Sequence, residues 1–383
     1  MIVNTHIHSP YSFSSFDSIE QAVRLAREQQ VRVLGLSDFN TLEGYGEFTT
    51  QCRMQKIFPL YGVEFIALDK ADRSQGLRWN DPQNPGTIYF CGKALDFPLT
   101  LSAPTRSRLQ GLGEGTQQHI GRVIQKLNAV LAQAGVALEL DYTTIRSRYA
   151  KNTVRERHVA RALADALCTQ LSAEQLRAAL TSLFGEQGST LAVNDSVLFQ
   201  NELRNRLLKA GAPAFIEESD DAFFGLDEVI GVVLDGGGIP CYPILADGGK
   251  VINEREQDVV QLALDLKARN IHAVEFIPTR NALELLERYV RHFREQQFCV
   301  TFGTEHNTPD LGPLNPAAKA ATPLSEYLAR VSYEGACINA AHQQQRAAGK
   351  PGFVDANGGL LVDADHWDGF VALGEQAIKS WID

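Results

Sequence analysis

The chain begins Met1-Ile-Val-Asn-Thr-His-Ile-His8, a strand-like run that ends in two histidines spaced two apart. Alternate side chains of a strand point to one face. His6 and His8 are therefore expected to project together, and Ile7 to enter apolar packing on the other side. Two imidazoles on one face can grip a divalent ion. The plainer alternative is a pair of solvated or core histidines, and the rest of the chain has to decide between them.

Working outward, a hydroxyl-rich loop, residues 9–17, precedes Asp17-Ser-Ile-Glu20. That tetrapeptide reads as a capping box with Asp17 as N-cap. Ile19, Ala22, Val23 and Ala26 keep helical spacing, so a helix is expected over 18–30. Val31-Arg-Val-Leu-Gly-Leu36 reads as a buried strand leading into Ser37-Asp-Phe-Asn-Thr41. A third strand over 57–67 carries Glu64. Residues 69–118 hold Pro82, Pro85, Pro98 and Pro104 and read as irregular, with a short strand near 87–91. Helices are expected from Ile120 to Leu131 and over 156–168, 172–184 and 196–209. Strand–helix alternation resumes after 226, with strands at 239–243, 271–277 and 298–302 and helices at 226–235, 254–269, 280–296, 323–347 and 368–381.

This alternation predicts an α/β fold, mainly parallel strands with helices outside. The expected organisation is a β/α barrel from 1–69 and 226–383, with 70–225 inserted as a mostly helical cap. Active sites of such barrels sit at the strand C-termini. His6, His8, Asp38, Glu64, Tyr242, Glu305 and His306 all fall at that end.

Composition sets bounds. With 383 residues, 44% hydrophobic and 21% charged, the chain can bury a large core. A net charge of −10 argues against nucleic acid as a partner but leaves room for a local basic pocket for a small anion. The six cysteines are scattered with no CxxC pair, which fits reduced thiols in a cytoplasm. No apolar run reaches membrane-spanning length, and the N-terminus has no signal-peptide pattern, so no membrane partner is expected.

In order, the chain presents His6-x-His8, Asp17, Ser37-Asp-Phe-Asn-Thr41, Gly62-Val-Glu64, Arg157-His158 and Gly303-Thr-Glu-His-Asn307. This set resembles the PHP family, named for polymerase and histidinol phosphatase, over residues 1–66 and 226–310 and around His158. The resemblance implies a distorted (β/α)7, TIM-like barrel with a two- or three-metal site and phosphoester hydrolysis. It makes His6 and His8 the opening ligands, Glu64 a bridging carboxylate and Glu305 the counterpart of an aspartate. Asp17, His158 and His306 are further candidate ligands. Imidazole and carboxylate donors suit zinc, manganese or iron.

Three positions depart from the family pattern. Phe39, Tyr242 and Asn307 stand where the family has histidines, and His306 lies one residue early. One or two ions per chain are therefore expected, not three. Asp38, His158, Tyr242 and His306 are the candidate catalytic groups, and Arg157 and Arg280 the candidate anion-binding ones. Several candidates have a plainer alternative: Asp17 a helix cap, His158 a surface helix residue, His306 a loop hydrogen bond. Arg155 and Lys250 are further anion-binding candidates, and all four basic residues could equally solvate a surface. The remaining histidines read as structural. The expected function is a metal-dependent phosphoesterase for a small phosphorylated metabolite or nucleotide. The alternatives are a barrel that binds without catalysis and a metallohydrolase for a non-phosphate bond.

Overall fold

The computed structural model describes residues 1–185 and 196–383. Seven strands form one sheet in chain order: β1 (Ile2–Ile7), β2 (Val31–Phe39), β3 (Phe58–Leu68), β4 (Thr87–Lys93), β5 (Ile239–Ile244), β6 (Ala273–Phe276) and β7 (Cys299–Phe302). The sheet curls until its ends meet. Ile7 bridges to Glu305 just beyond β7, and the His8 amide donates to the Glu305 carbonyl at 2.7 Å.

Helices α1 (Ile19–Glu28), α2 (Tyr45–Met54) and α3 (Lys70–Gln75) connect the first strands. After β4 come α4 (Ala103–Gln133), α5 (Tyr142–Tyr149), α6 (Glu156–Gln170), α7 (Ala173–Phe184) and α8 (Ser196–Leu203). The barrel then resumes with α9 (Leu226–Asp235), α10 (Val259–Ala268) and α11 (Leu283–Glu295), and ends with α12 (Glu326–Ala347) and α13 (Trp367–Ile382). Among the described residues no helix is long and apolar enough to cross a membrane.

The stripe expected of α1 is its buried face: Ile19, Ala22, Val23 and Ala26 lie in the barrel's outer core. Burial of each large member contributes about 1.5–3 kcal/mol. The cap is one residue later than the sequence suggests. Ser18 has the extended backbone of an N-cap, and its hydroxyl accepts from the Gln21 amide at 3.0 Å. Gln21 Oε1 in turn accepts from the exposed Asp17 amide at 2.6 Å.

β4 differs from its neighbours. It runs antiparallel to both β3 and β5, whereas the other pairs are parallel. Ile88 and Phe90 join the outer core, while Cys91 and Lys93 turn inward. The segment after Asp69 thus supplies a barrel strand before the helices begin. α4 also starts earlier than its apolar stripe predicts. Ser102 caps it, Pro104 occupies the first turn, and Leu109 and Leu112 pack on the outer core. Those contacts outweigh the helix cost of Gly111, Gly113 and Gly115, about 1 kcal/mol each.

The second half of α4 belongs to a separate core. Ile120, Val123, Ile124, Leu127 and Leu131 pack with Val159, Leu163 and Leu167 of α6 and Phe199 and Leu203 of α8. The link between α5 and α6 lies on the barrel mouth. Lys151 and Thr153 amides donate to the Pro10 and Tyr11 carbonyls at 3.2 and 3.4 Å, and Asn152 Nδ2 donates to Thr41 Oγ1 at 3.1 Å.

Candidate metal centre

The register of β1 against β2 shifts between Asn4 and Ile7. Two consecutive residues, Thr5 and His6, therefore both reach Glu275 of β6. Thr5 Oγ1 donates to Oε1 at 3.0 Å, and His6 Nδ1 lies 2.6 Å from Oε2. Two glycines leave room for this path. A Cβ on Gly303 would stand 2.3 Å from His6 Cβ, and one on Gly35 would stand 2.2 Å from the Thr5 carbonyl oxygen. A larger residue at either position would push β1 aside.

His6 Nε2 and His8 Nε2 face each other at 3.2 Å. Glu64, projecting from β3, brings Oε2 to 3.8 Å from the first and 3.1 Å from the second. No member of the trio is more than 2% exposed. Yet Glu64 Oε2 has no hydrogen-bond partner of good geometry. A buried carboxylate oxygen without a partner is costly. A cation among these three atoms, all within 4.8 Å of one another, would relieve that cost. Two imidazoles and a carboxylate suit zinc, manganese or iron, so the residues fit the ion the sequence suggested.

The electrostatics agree. Burial pushes the Glu64 carboxyl up to about 8; His6 opposes the shift, and Glu305 and Glu275 add to it. Burial pushes the His8 imidazole down to about 4, so near neutral pH it is uncharged with a lone pair to offer.

Below the trio lies an ion pair the sequence reading passed over. Lys93 Nζ is 2.7 Å from Glu275 Oε1, and neither side chain is more than 2% exposed. Burial alone would raise the Glu275 carboxyl, but Lys93 and His6 outweigh it and hold it near 2. The signal was an acid within the apolar run Ile271-His-Ala-Val-Glu-Phe-Ile277 and a lysine ending Ile-Tyr-Phe-Cys-Gly-Lys93. A charge inside a buried strand requires a partner. Which partner it takes depends on pairing across the barrel.

Glu305 reaches the mouth, but its carboxylate is turned aside. Arg280 ion-pairs with it, and Asn307 Nδ2 donates to Oε2 at 3.0 Å. Burial would raise this carboxyl, but Arg280, His6 and His8 prevail and hold it below the usual range. His306 is not brought to the trio. Glu305 and His306 both have left-handed backbone, φ 61° and 60°. That turn sends the His306 ring outward, where it stacks on Phe16 at 4.7 Å. Its Nδ1 pairs with Thr304 Oγ1 and its Nε2 with the Gly312 carbonyl, each at 2.9 Å. Both nitrogens are committed, which corrects the expectation of a ligand or catalytic base.

Tyr242 is corrected likewise. It sits opposite Val274 in the β5–β6 pairing and shares that residue's outward face, while Pro243 pairs with the inward Glu275. Its hydroxyl donates to Glu256 Oε1 at 2.9 Å, and its ring meets Trp79 edge-on at 5.7 Å. Asp17 is exposed on the loop before α1. Asp38 is buried beside His8, but it accepts from the Ser9 amide at 2.7 Å and from the Ser9 and Ser12 hydroxyls at 2.6 Å each. It therefore holds the loop that follows the histidines.

His158 lies in the first turn of α6 and accepts the Arg155 amide proton at Nδ1, 2.9 Å away. Burial, then Arg155 and Arg161, push it down to about 3. Phe13 packs against its ring at 4.9 Å, and among the described residues it is not part of the ligand group. Arg157 stands over Phe13 at 5.8 Å and donates to Asn201 at 3.2 Å. Arg155 is better placed than either. Its guanidinium lies 4.9 Å over Phe39, whose ring stacks on His8 at 4.7 Å. Among the described residues no carboxylate pairs with Arg155.

Residues 4–99, which span β1 to β4, match the family model of the PHP domain. No curated protein matches the chain. Among solved structures, an amidohydrolase from Chromobacterium violaceum with bound sulfate and no metal is similar with TM-score 0.56 and 16% identity, over 87% of this chain and 97% of that one. A protein named as a metal-dependent phosphoesterase from Bifidobacterium adolescentis is similar with TM-score 0.54 and 16% identity, over 86% of this chain and 94% of the other. At that identity the likeness speaks for the barrel and its insertion, not for a shared substrate.

Proposed function

We propose that this chain, whose residues 4–99 match the family model of the PHP domain, is a metal-dependent hydrolase, a phosphoesterase for a small phosphorylated metabolite or nucleotide. The observation that carries the proposal is the convergence of His6 Nε2, His8 Nε2 and the unpartnered Glu64 Oε2 at the barrel mouth. His6, His8 and Glu64 would hold a divalent ion there, which would supply a water of lowered pKa and positive charge against phosphoryl oxygens. The chain's own groups do the rest. Asp38 holds the loop after His8, and Arg155 stacks on Phe39, the ring that in turn stacks on His8, so its charge is felt at the trio. A guanidinium without a carboxylate partner is suited to a phosphate dianion.

The bound sulfate of the C. violaceum protein and the name of the B. adolescentis one both favour a tetrahedral anion as ligand. We propose one or two ions per chain. Phe39 offers no lone pair, Asn307 is tied to Glu305, and Tyr242 faces outward. The first protein's name also favours a second reading, hydrolysis of a carbon–nitrogen bond at the same centre.

The test is elemental analysis of protein purified with zinc or manganese, followed by assays on phosphomonoesters, mononucleotides and N-acyl compounds. Phosphate release that depends on the metal is expected. Hydrolysis of N-acyl compounds alone would transfer the proposal to the second reading. No bound metal and no turnover would defeat both.

A further inference from the structure

We infer that Lys93 and Glu275 are positioning residues that together decide which nitrogen of His6 faces the metal. The inference rests on the metal-centre reading above and concerns the layer beneath it.

His6 Nδ1 has two close neighbours, Glu275 Oε2 at 2.6 Å and Lys93 Nζ at 3.4 Å. The carboxylate can only accept, and the ammonium can only donate. The shorter contact is with the acceptor, so Nδ1 carries the proton and Nε2 keeps its lone pair toward His8 and Glu64. A carboxylate behind a ligating imidazole fixes the ring and raises its basicity.

Glu275 could instead swing, protonate or take up an ion itself. The other groups around it prevent this. Its Oε1 receives Lys93 at 2.7 Å, Thr5 Oγ1 at 3.0 Å and Thr301 Oγ1 at 3.3 Å. Lys93 is itself held by the Thr5 carbonyl at 3.2 Å and Ser37 Oγ at 3.3 Å. The ammonium also has an excluding role. His6, Cys91 and Glu275 form a second group of candidate ligands, with Cys91 Sγ 3.9 Å from Glu275 Oε2. Lys93 already places a positive charge against two of the three, so a metal ion is disfavoured on the Nδ1 side and directed to Nε2.

Stability alone does not account for the pair. Buried ion pairs replaced whole by apolar residues of similar volume often leave a protein equally or more stable, while removing one partner destabilises. His8, by contrast, has among the described residues only Ser12 Oγ at 3.5 Å behind its Nδ1. The lock is therefore specific to His6.

The test uses the full chain, with zinc as the probe. Zinc affinity by chelator competition and melting of the metal-free protein are measured for wild type, Glu275→Gln and Lys93→Met/Glu275→Leu. The double variant should melt no lower than wild type yet bind zinc about 10–100-fold more weakly, the usual effect of losing such a partner. Should it fail to fold, Glu275→Gln, which keeps the shape, should still weaken zinc by several-fold. ¹⁵N-histidine spectra of metal-free wild type should show His6 protonated at Nδ1. Zinc affinity within twofold of wild type in the folded variant that is measured, or His6 protonated at Nε2, would overturn the inference. Wild-type protein that bound no zinc would instead defeat the metal-centre reading.

Discussion

The inward faces of β1, β3, β4 and β6 and the rim at the ends of β2, β5 and β7 treat their polar residues in opposite ways. Inside, His6, His8, Glu64, Glu275 and Lys93 come from four strands and point at one another. At the rim, the positions that the family resemblance assigns to histidines are occupied by groups that face elsewhere. Phe39 is sandwiched between His8 and Arg155, Tyr242 bonds Glu256 behind the sheet, and Asn307 is held by Glu305. The difference teaches that the centre is concentrated at one position, and that Arg155, just before α6, brings its charge to the Phe39 ring that stacks on His8.

The largest effect should come from the inner group. Glu64→Gln should weaken zinc binding at least 100-fold and abolish metal-dependent turnover, because an amide replaces the one carboxylate of the trio. Equilibrium competition with a chelator measures it. Unchanged affinity would show that the trio is not the centre.

Next is Arg155. Arg155→Ala should raise KM for a phosphomonoester about tenfold or more, since a charge-assisted hydrogen bond contributes about 1.5–3 kcal/mol. Metal content should not change. Arg157→Ala, whose guanidinium lies over Phe13 and bonds Asn201, should do less. The reverse order would break the distinction drawn between the two arginines.

The pH dependence follows from Glu64. With its carboxyl near 8 and the His8 imidazole near 4, an incoming ion must displace one proton from Glu64 at pH 7 and none from His8. Zinc affinity should rise about tenfold per pH unit up to roughly 8 and then level off. The sign for stability is opposite. An acid raised on folding stabilises the metal-free protein most below its unfolded value of 4.5, and that contribution is lost as pH climbs through 8. Glu256, pushed up to about 7 by burial, adds in the same direction. Calorimetry in buffers of different ionisation heat counts the proton released.

The smallest effect concerns the rim. Tyr242→Phe should cost about 1 kcal/mol for its buried hydrogen bond and leave metal content and turnover unchanged. Loss of metal would return Tyr242 to the site and erase the contrast.

What was legible in the sequence follows the same division. The alternation of strands and helices and the pairing of His6 with His8 are local patterns, readable from spacing alone. Glu64 could be placed because a carboxylate at the end of a buried apolar strand must meet a cation or a donor. Glu275 and Lys93 are 182 residues apart along the chain, and only the antiparallel setting of β4 makes them neighbours. Tyr242 was misplaced because one step along a strand exchanges the inner face for the outer. His306 was misplaced because two consecutive left-handed residues cannot be inferred from Thr-Glu-His-Asn.

The reversal of β4 has a mechanical consequence. Its last residue, Lys93, lies level with Ile239 at the start of β5, so the chain leaves at the foot of the barrel, opposite the mouth. It regains the mouth on α4, whose 31 residues span about 46 Å. The foot of that helix is tied to α9, where the Ser102 amide donates to Asp235 Oδ2 at 2.8 Å. Higher up, Gln117 Oε1 accepts from the Val154 amide at 2.9 Å, and Nε2 donates to the Val154 carbonyl at 3.2 Å, next to Arg155. α4 is thus a lever arm with its fulcrum at the foot. A tilt of about 5° there displaces Gln117, about 22 Å along the helix, by about 2 Å, enough to carry a guanidinium from contact with an anion to beyond hydrogen-bond reach.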